Sequence, residues 1–226
     1  MEQQVIFTKR AFNAILTETL DRSPLETGGI FIGYVLDNGI WIVVETIPPG
    51  IKTVNHQAYF EYDADFINYL SNVIAKQYKG NLQVLGLWHR HPGSMDSFSG
   101  TDDVTNLQFS KANTCGAISA LVNCDPKCRI TMYHVNHAGE YERINWMVDD
   151  GLIPDELLAL RFNKEEDLPV INRNGFIISP EHISPASSTV VADNPGAVDW
   201  ATVEADYSWF DAVQDFKEIV RKLFKI

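Results

Sequence analysis

The stretch GGIFIGYVL at residues 28–36, followed by Asp37-Asn38-Gly39 and then IWIVVETI at residues 40–47, decides the fold. Two runs rich in β-branched and aromatic residues meet across an Asn-Gly pair, which supplies the positive φ angles that a tight hairpin turn requires. Upstream, Thr8 can cap a helix whose apolar positions Phe12, Ile15, Leu16 and Leu20 continue until Ser23-Pro24 breaks the pattern. Downstream, residues 48–57 read as a loop and 59–62 as a short strand. Asp63 then caps a helix with Phe66, Ile67, Leu70, Val73 and Ile74 on one face. Residues 82–89 form a further strand and lead into the Gly- and Ser-rich loop HPGSMDSFSG. Ser99 caps a helix over 100–112, with Val104 and Leu107 turned inward, and strands are expected at 117–123, 129–136 and 140–147. Helices and hairpins in this mixed order make an α/β chain of the α+β type.

Composition narrows the function classes. The 226 residues suit one domain plus an extension, and 45% hydrophobic with 21% charged residues is ordinary globular composition. With 18 Lys and Arg against 30 Asp and Glu, the net charge of −12 leaves no broad basic surface for nucleic-acid phosphates or anionic lipids. No nucleic acid and no membrane are therefore expected as partners. The N-terminus MEQQVIFTKR lacks the layout of a secretory signal, and no run approaches the length of a membrane span. Three cysteines, Cys115, Cys124 and Cys128, do not make a disulfide framework, so a soluble, cytoplasmic protein with reduced thiols is expected.

The chemistry is concentrated in Leu87-Trp88-His89-Arg90-His91-Pro92 and Ser99-Gly100-Thr101-Asp102. On a strand, residues i and i+2 share a face, so His89 and His91 present two imidazoles to one point while Arg90 and Trp88 face away. If Ser99 opens a helix, Asp102 lies on the same side of its first turn and offers a carboxylate oxygen as a third ligand. Two nitrogens and one oxygen suit Zn²⁺, and three protein ligands leave one tetrahedral position for water, as catalytic zinc sites do. A base outside the ligand set is then needed, and the candidate is Glu26, just before Gly28-Gly29, whose absent side chains permit close approach. Ser99 can donate a hydrogen bond to a developing oxyanion.

His89-x-His91, seven residues, Ser99, two residues and Asp102, with Glu26 upstream in LETGGIFIGY, resembles the JAMM motif of the JAB/MPN (MPN+) zinc metalloproteases, especially the compact prokaryotic branch. By residue frequencies this spacing should arise by chance on the order of once in a few thousand chains of this length. The resemblance covers residues 5–148 and implies the family's cytidine-deaminase-like fold, a curved mixed sheet flanked by helices. It also implies one catalytic Zn²⁺ on His89, His91 and Asp102, acid/base work by Glu26 and oxyanion support from Ser99. Arg90 departs from the Ser or Thr that many members carry. It is expected to alter contacts around the site or at the surface without loss of activity.

The resemblance further implies an isopeptidase or peptidase acting at the C-terminal tail of a ubiquitin-like protein, by deconjugation or tail processing. Operon-encoded conjugation enzymes are then its expected partners, in a bacterial ubiquitin-like conjugation or antiviral defence system. Alternatives are processing of a sulfur-carrier protein, hydrolysis of a cell-wall peptide, and a non-catalytic MPN-type interaction module. The RadC-like DNA-associated branch shares the motif, but the acidic balance does not favour it.

Other polar residues are expected to be unremarkable. Asp96 and Asp103 lie off the motif's spacing and read as solvated or capping acids; the CDPKC segment reads as a plain turn; His56, His134, His137 and His182 read as surface residues. A division into a catalytic domain at 1–148 and a C-terminal extension at 149–226 is expected. The extension carries 15 acids against 7 Lys and Arg, or −8 of the total charge. Residues 179–196 read as a linker, and Trp200, Trp209, Phe210, Val213, Phe216, Val220, Leu223 and Phe224 point to a final amphipathic helix.

Overall fold

The computed structural model describes residues 3–57 and 59–162, together with the backbone of 170–171 and 177–178. Its first element is a strand that the sequence reading did not contain, β1 (Gln4–Phe7), ahead of α1 (Lys9–Asp21). The Thr8 hydroxyl caps α1 by accepting the Ala11 N–H at 3.0 Å, as expected. The buried stripe of α1 is Ala11, Ile15 and Thr19, which leaves Leu20 turned out and 62% exposed, contrary to expectation.

The hairpin follows as β2 (Thr27–Val35) and β3 (Ile40–Ile47), with Gly39 at φ +81° in the turn. The segment read as a loop before residue 59 holds a second, smaller hairpin, β4 (Val54–His56) and β5 (Tyr59–Glu61). Asp63 caps α2 (Ala64–Gln77) and accepts the Phe66 N–H at 3.1 Å. Then come β6 (Gln83–Arg90), α3 (Gly100–Ala112), β7 (Ala117–Asn123), β8 (Arg129–Val135) and β9 (Tyr141–Val148), all close to expectation.

The sheet curves until it closes. Its order is β1-β3-β2-β6-β7-β8-β9, and β1 pairs in parallel with both β3 and β9, sealing the barrel. Two buried clusters lie on opposite faces of the strands. One gathers Phe7, Phe31, Trp41, Leu85 and Trp88 with Ala11 and Ile15 of α1; the other gathers Ile30, Ile42, Ile47 and Leu87 with Ile67 and Ile74 of α2 and Phe109 of α3.

The placement of Leu85 and Leu87 in different clusters breaks simple alternation and has a local cause. Phe31 pairs with Gly86 but Ile32 pairs with Val84, so Leu85 is an extra residue, a β-bulge that reverses which face the following side chains take. Gly86 sits at φ +146°, and a Cβ there would strike the Ile118 carbonyl oxygen, so only glycine fits. The bulge sends Leu87, and His89 two residues later, to the face covered by α2 and α3.

Beyond β9 the described chain stays on the domain. The Asp149 N–H donates to the Phe7 carbonyl at 3.2 Å, and Ile153 is buried against the α2 side. A short helix, α4 (Asp155–Leu158), leads to backbone bonds from Lys79 to Ala159 and from Arg161 to Gln77 at the end of α2. Strands β10 (Val170–Ile171) and β11 (Ile177–Ile178) pair antiparallel. The linker expected at 179–196, His182 and the expected terminal helix lie outside the described residues.

Candidate metal centre

Three side chains converge on one point. His89 is the penultimate residue of β6, His91 follows the strand's last residue directly, and Asp102 occupies the first turn of α3; all three are buried. The His91 N–H is held by the Val122 carbonyl at 3.0 Å, which continues the β6 pairing to β7 past the assigned end of the strand. His89 Nδ1 lies 2.7 Å from Asp102 Oδ1 and His91 Nε2 lies 3.3 Å from Asp102 Oδ2. One ligand atom from each residue falls within 4.8 Å of the other two, the only such His/Cys/Asp/Glu group found among the described residues.

Ser99 and Asp102 form a reciprocal capping box. The Ser99 N–H donates to Asp102 Oδ2 at 2.7 Å, and the Asp102 N–H donates to Ser99 Oγ at 3.2 Å. That pairing fixes the carboxylate rotamer before any ligand arrives. It also uses only a lone pair of the Ser99 hydroxyl, which leaves its O–H free to donate outward. Burial alone would raise the Asp102 carboxyl, but hydrogen bonds from His89 and His91 and from the Ser99 backbone hold it well below the usual carboxylate range.

The helix carrying Asp102 is anchored differently from the expectation. Val104 is 57% exposed, and the inward positions are Asp102, Asn106, Phe109 and Ser110, three of them polar. Asn106 donates to the Tyr141 hydroxyl at 3.0 Å, which itself donates to Asp103 at 2.8 Å, and Ser110 donates to the Asn136 carbonyl at 2.6 Å. Asp103 is thus a tie from α3 to β9. Asp96 likewise pairs with Arg129 at 2.6 Å.

Glu26 stands at the entry to β2 and is half-buried. Its backbone is gripped by the small hairpin: its N–H donates to the His56 carbonyl at 2.8 Å, and Asn55 Nδ2 donates to its carbonyl at 2.7 Å. Burial raises the Glu26 carboxyl above its ordinary value. Among neighbouring charges, His91 opposes this rise, Asp102 reinforces it, and His89 and Arg90 oppose it. The carboxyl therefore shares the electrostatic environment of all three candidate ligands while staying outside the donor group.

Gly28 explains why a glycine pair follows Glu26. A Cβ there would lie 2.5 Å from the Trp88 carbonyl oxygen, 2.9 Å from His89 Cδ2 and 2.9 Å from Phe60 Cε1. His89 packs edge-on against Phe60, with ring centroids 5.6 Å apart, in the space a side chain would fill. Gly28→Ala is expected to push His89 off its position, costing about 1–3 kcal/mol of stability and weakening metal uptake; thermal melts with and without added zinc read both effects.

The donor chemistry fits a zinc-like cation. Imidazole and carboxylate ligands are the ones Zn²⁺ takes, and the two imidazoles and the carboxylate are buried together with their ligand atoms within 4.8 Å of one another. Trp88 is core, as expected, with its indole N–H on Thr46 Oγ1 at 3.0 Å. Arg90 faces away from the ligands but is buried, not on the surface. His134 is also buried, against expectation, held by Gln3 at 3.2 Å and the Cys115 carbonyl at 2.8 Å because β8 carries it into the wall of the closed barrel. His56 and His137 are exposed, and all three cysteines are free thiols.

No curated protein matches the chain. Among solved structures, it is similar to the solution structure of protein DSY2949 from Desulfitobacterium hafniense, at 16% identity and a TM-score of 0.48, covering 66% of this chain and 94% of that one. The model describing prokaryotic homologs of the JAB domain matches residues 8–147. The chain belongs to the prokaryotic JAB-domain family.

Proposed function

We propose that this chain is a zinc-dependent peptidase or isopeptidase that cleaves after the C-terminal tail of a ubiquitin-like protein, as a cytoplasmic partner of conjugation enzymes. The observation that carries the reading is the convergence of His89, His91 and Asp102 within 4.8 Å, beside a partly buried Glu26 that is not in the donor group. A non-catalytic module has no use for that arrangement. In this reading residues 1–148 are the catalytic domain and residues 149–226 an acidic extension.

His89, His91 and Asp102 would hold the ion. A bound Zn²⁺ supplies Lewis-acid polarisation of the scissile carbonyl and acidifies water. Glu26 takes a proton from the attacking water as its oxygen bonds to the carbonyl carbon, and Ser99 Oγ–H donates to the oxygen that becomes negative. Glu26 then delivers its proton to the leaving nitrogen as the C–N bond breaks, which regenerates the carboxylate. An extended tail ending in small residues suits a narrow approach to such a centre, because glycine brings no side chain that must be accommodated.

A cleavage panel tests the substrate class. Purified protein with zinc is offered a ubiquitin-like protein in isopeptide linkage to lysine, the same protein with a C-terminal extension, a sulfur-carrier protein with a blocked tail, and a cell-wall peptide. Cleavage of the first two is expected. Turnover confined to either of the last two would replace the proposed substrate.

A further inference from the structure

Arg90 lies between the two histidines and has no role in the chemistry above, yet it is buried at 4% exposure. Among the described residues no carboxylate lies within ion-pairing distance of its guanidinium. Nε has no hydrogen-bond partner, Nη2 reaches Ser23 Oγ only at 3.5 Å, and Nη1 makes one short bond, to the Leu25 carbonyl at 2.6 Å. Burying a cation without an acid partner is unfavourable, so a guanidinium held this way marks a contact that matters to the site.

The contact falls on the peptide that joins Leu25 to Glu26. That peptide's N–H, the Glu26 amide, donates to the His56 carbonyl at 2.8 Å, and the next carbonyl, of Glu26 itself, accepts from Asn55 at 2.7 Å. One residue on, the Thr27 hydroxyl donates to Glu18 at 2.7 Å. The small hairpin thus grips Glu26 from one side and α1 holds the following residue. Arg90 is the tie that comes from the ligand strand itself, since Thr27 pairs with Arg90 and Gly28 with His89 across the β2–β6 ladder.

We infer that Arg90 is a positioning residue: by holding the Leu25 carbonyl from the ligand-bearing strand, it locks the Glu26 backbone in register with His89 and His91. This rests on the reading of Glu26 as the proton-transferring group. A misplacement of about 1 Å at such a group costs up to about 10²-fold in rate.

The test uses the full chain as Arg90→Met, Arg90→Lys, Glu26→Gln and the Glu26→Gln/Arg90→Met double variant. Each is assayed for zinc content, kcat and KM, and for exchange of the Leu25, Glu26 and Thr27 amides. Arg90→Met is expected to keep one zinc per chain and its KM, lose about 10-fold to 10²-fold in kcat, and exchange those three amides faster. Arg90→Lys, with a single donor nitrogen in place of three, should recover part of both. The double variant should be as slow as Glu26→Gln alone, because Arg90 acts only through Glu26. A double variant slower by the product of the two single losses would overturn the positioning role. So would unchanged exchange of the three amides in Arg90→Met, whatever Glu26→Gln does. Undiminished turnover by Glu26→Gln would instead overturn the reading of Glu26, a result that the exchange data cannot produce.

Discussion

Glu26→Gln is expected to lower kcat by about 10²–10⁴-fold, the range in which a positioned general acid/base contributes, while zinc content and fold stay as in the parent protein. The side chain stands outside the His89, His91 and Asp102 donor group, so removing its charge removes no ligand. The backbone around it is held by His56, Asn55 and Arg90 through main-chain atoms that a Gln leaves in place. A fall in activity with metal retained separates proton transfer from metal binding. Loss of zinc in this variant would mean that Glu26 is itself a ligand.

Asp102→Ala is expected to abolish both zinc binding and cleavage, and to lower stability even without metal. The carboxylate serves the site twice, as a partner to both imidazoles and as the acceptor for the Ser99 N–H that opens α3. Losing the capping half alone costs about 1 kcal/mol. With zinc at one hundred times its dissociation constant, the parent protein should gain about 2.7 kcal/mol from binding, visible as a rise in melting temperature that the Asp102→Ala variant does not show. An equal zinc-induced rise in both proteins would place the metal elsewhere.

The site was more legible in the sequence than the sheet around it. Thr8, Asp63 and Ser99 each cap a helix because a short polar side chain reaches the N–H three residues on, a local rule. The His-x-His and Ser-x-x-Asp spacings are equally local, so the ligand set could be read from two short segments. Strand β1 could not: Gln4–Phe7 is too short to show a period, and its two parallel partners lie 36 and 141 positions along the chain. The bulge at Leu85 was also invisible, because nothing in VLGLWH states that alternation reverses at Gly86 until the Ile118 carbonyl is seen where a Cβ would be. The burial of Arg90 and His134 and the exposure of Val104 have the same origin, since each depends on which surface a distant element covers.

If His89, His91 and Asp102 hold the ion on which hydrolysis depends, the rate of cleavage of a lysine-linked ubiquitin-like conjugate by chelator-stripped protein titrated with Zn²⁺ reads that dependence directly. No turnover is expected in the stripped protein, followed by a rise that saturates at one zinc per chain. The same rate before stripping, after stripping and after zinc return would mean that hydrolysis does not run on an ion held there.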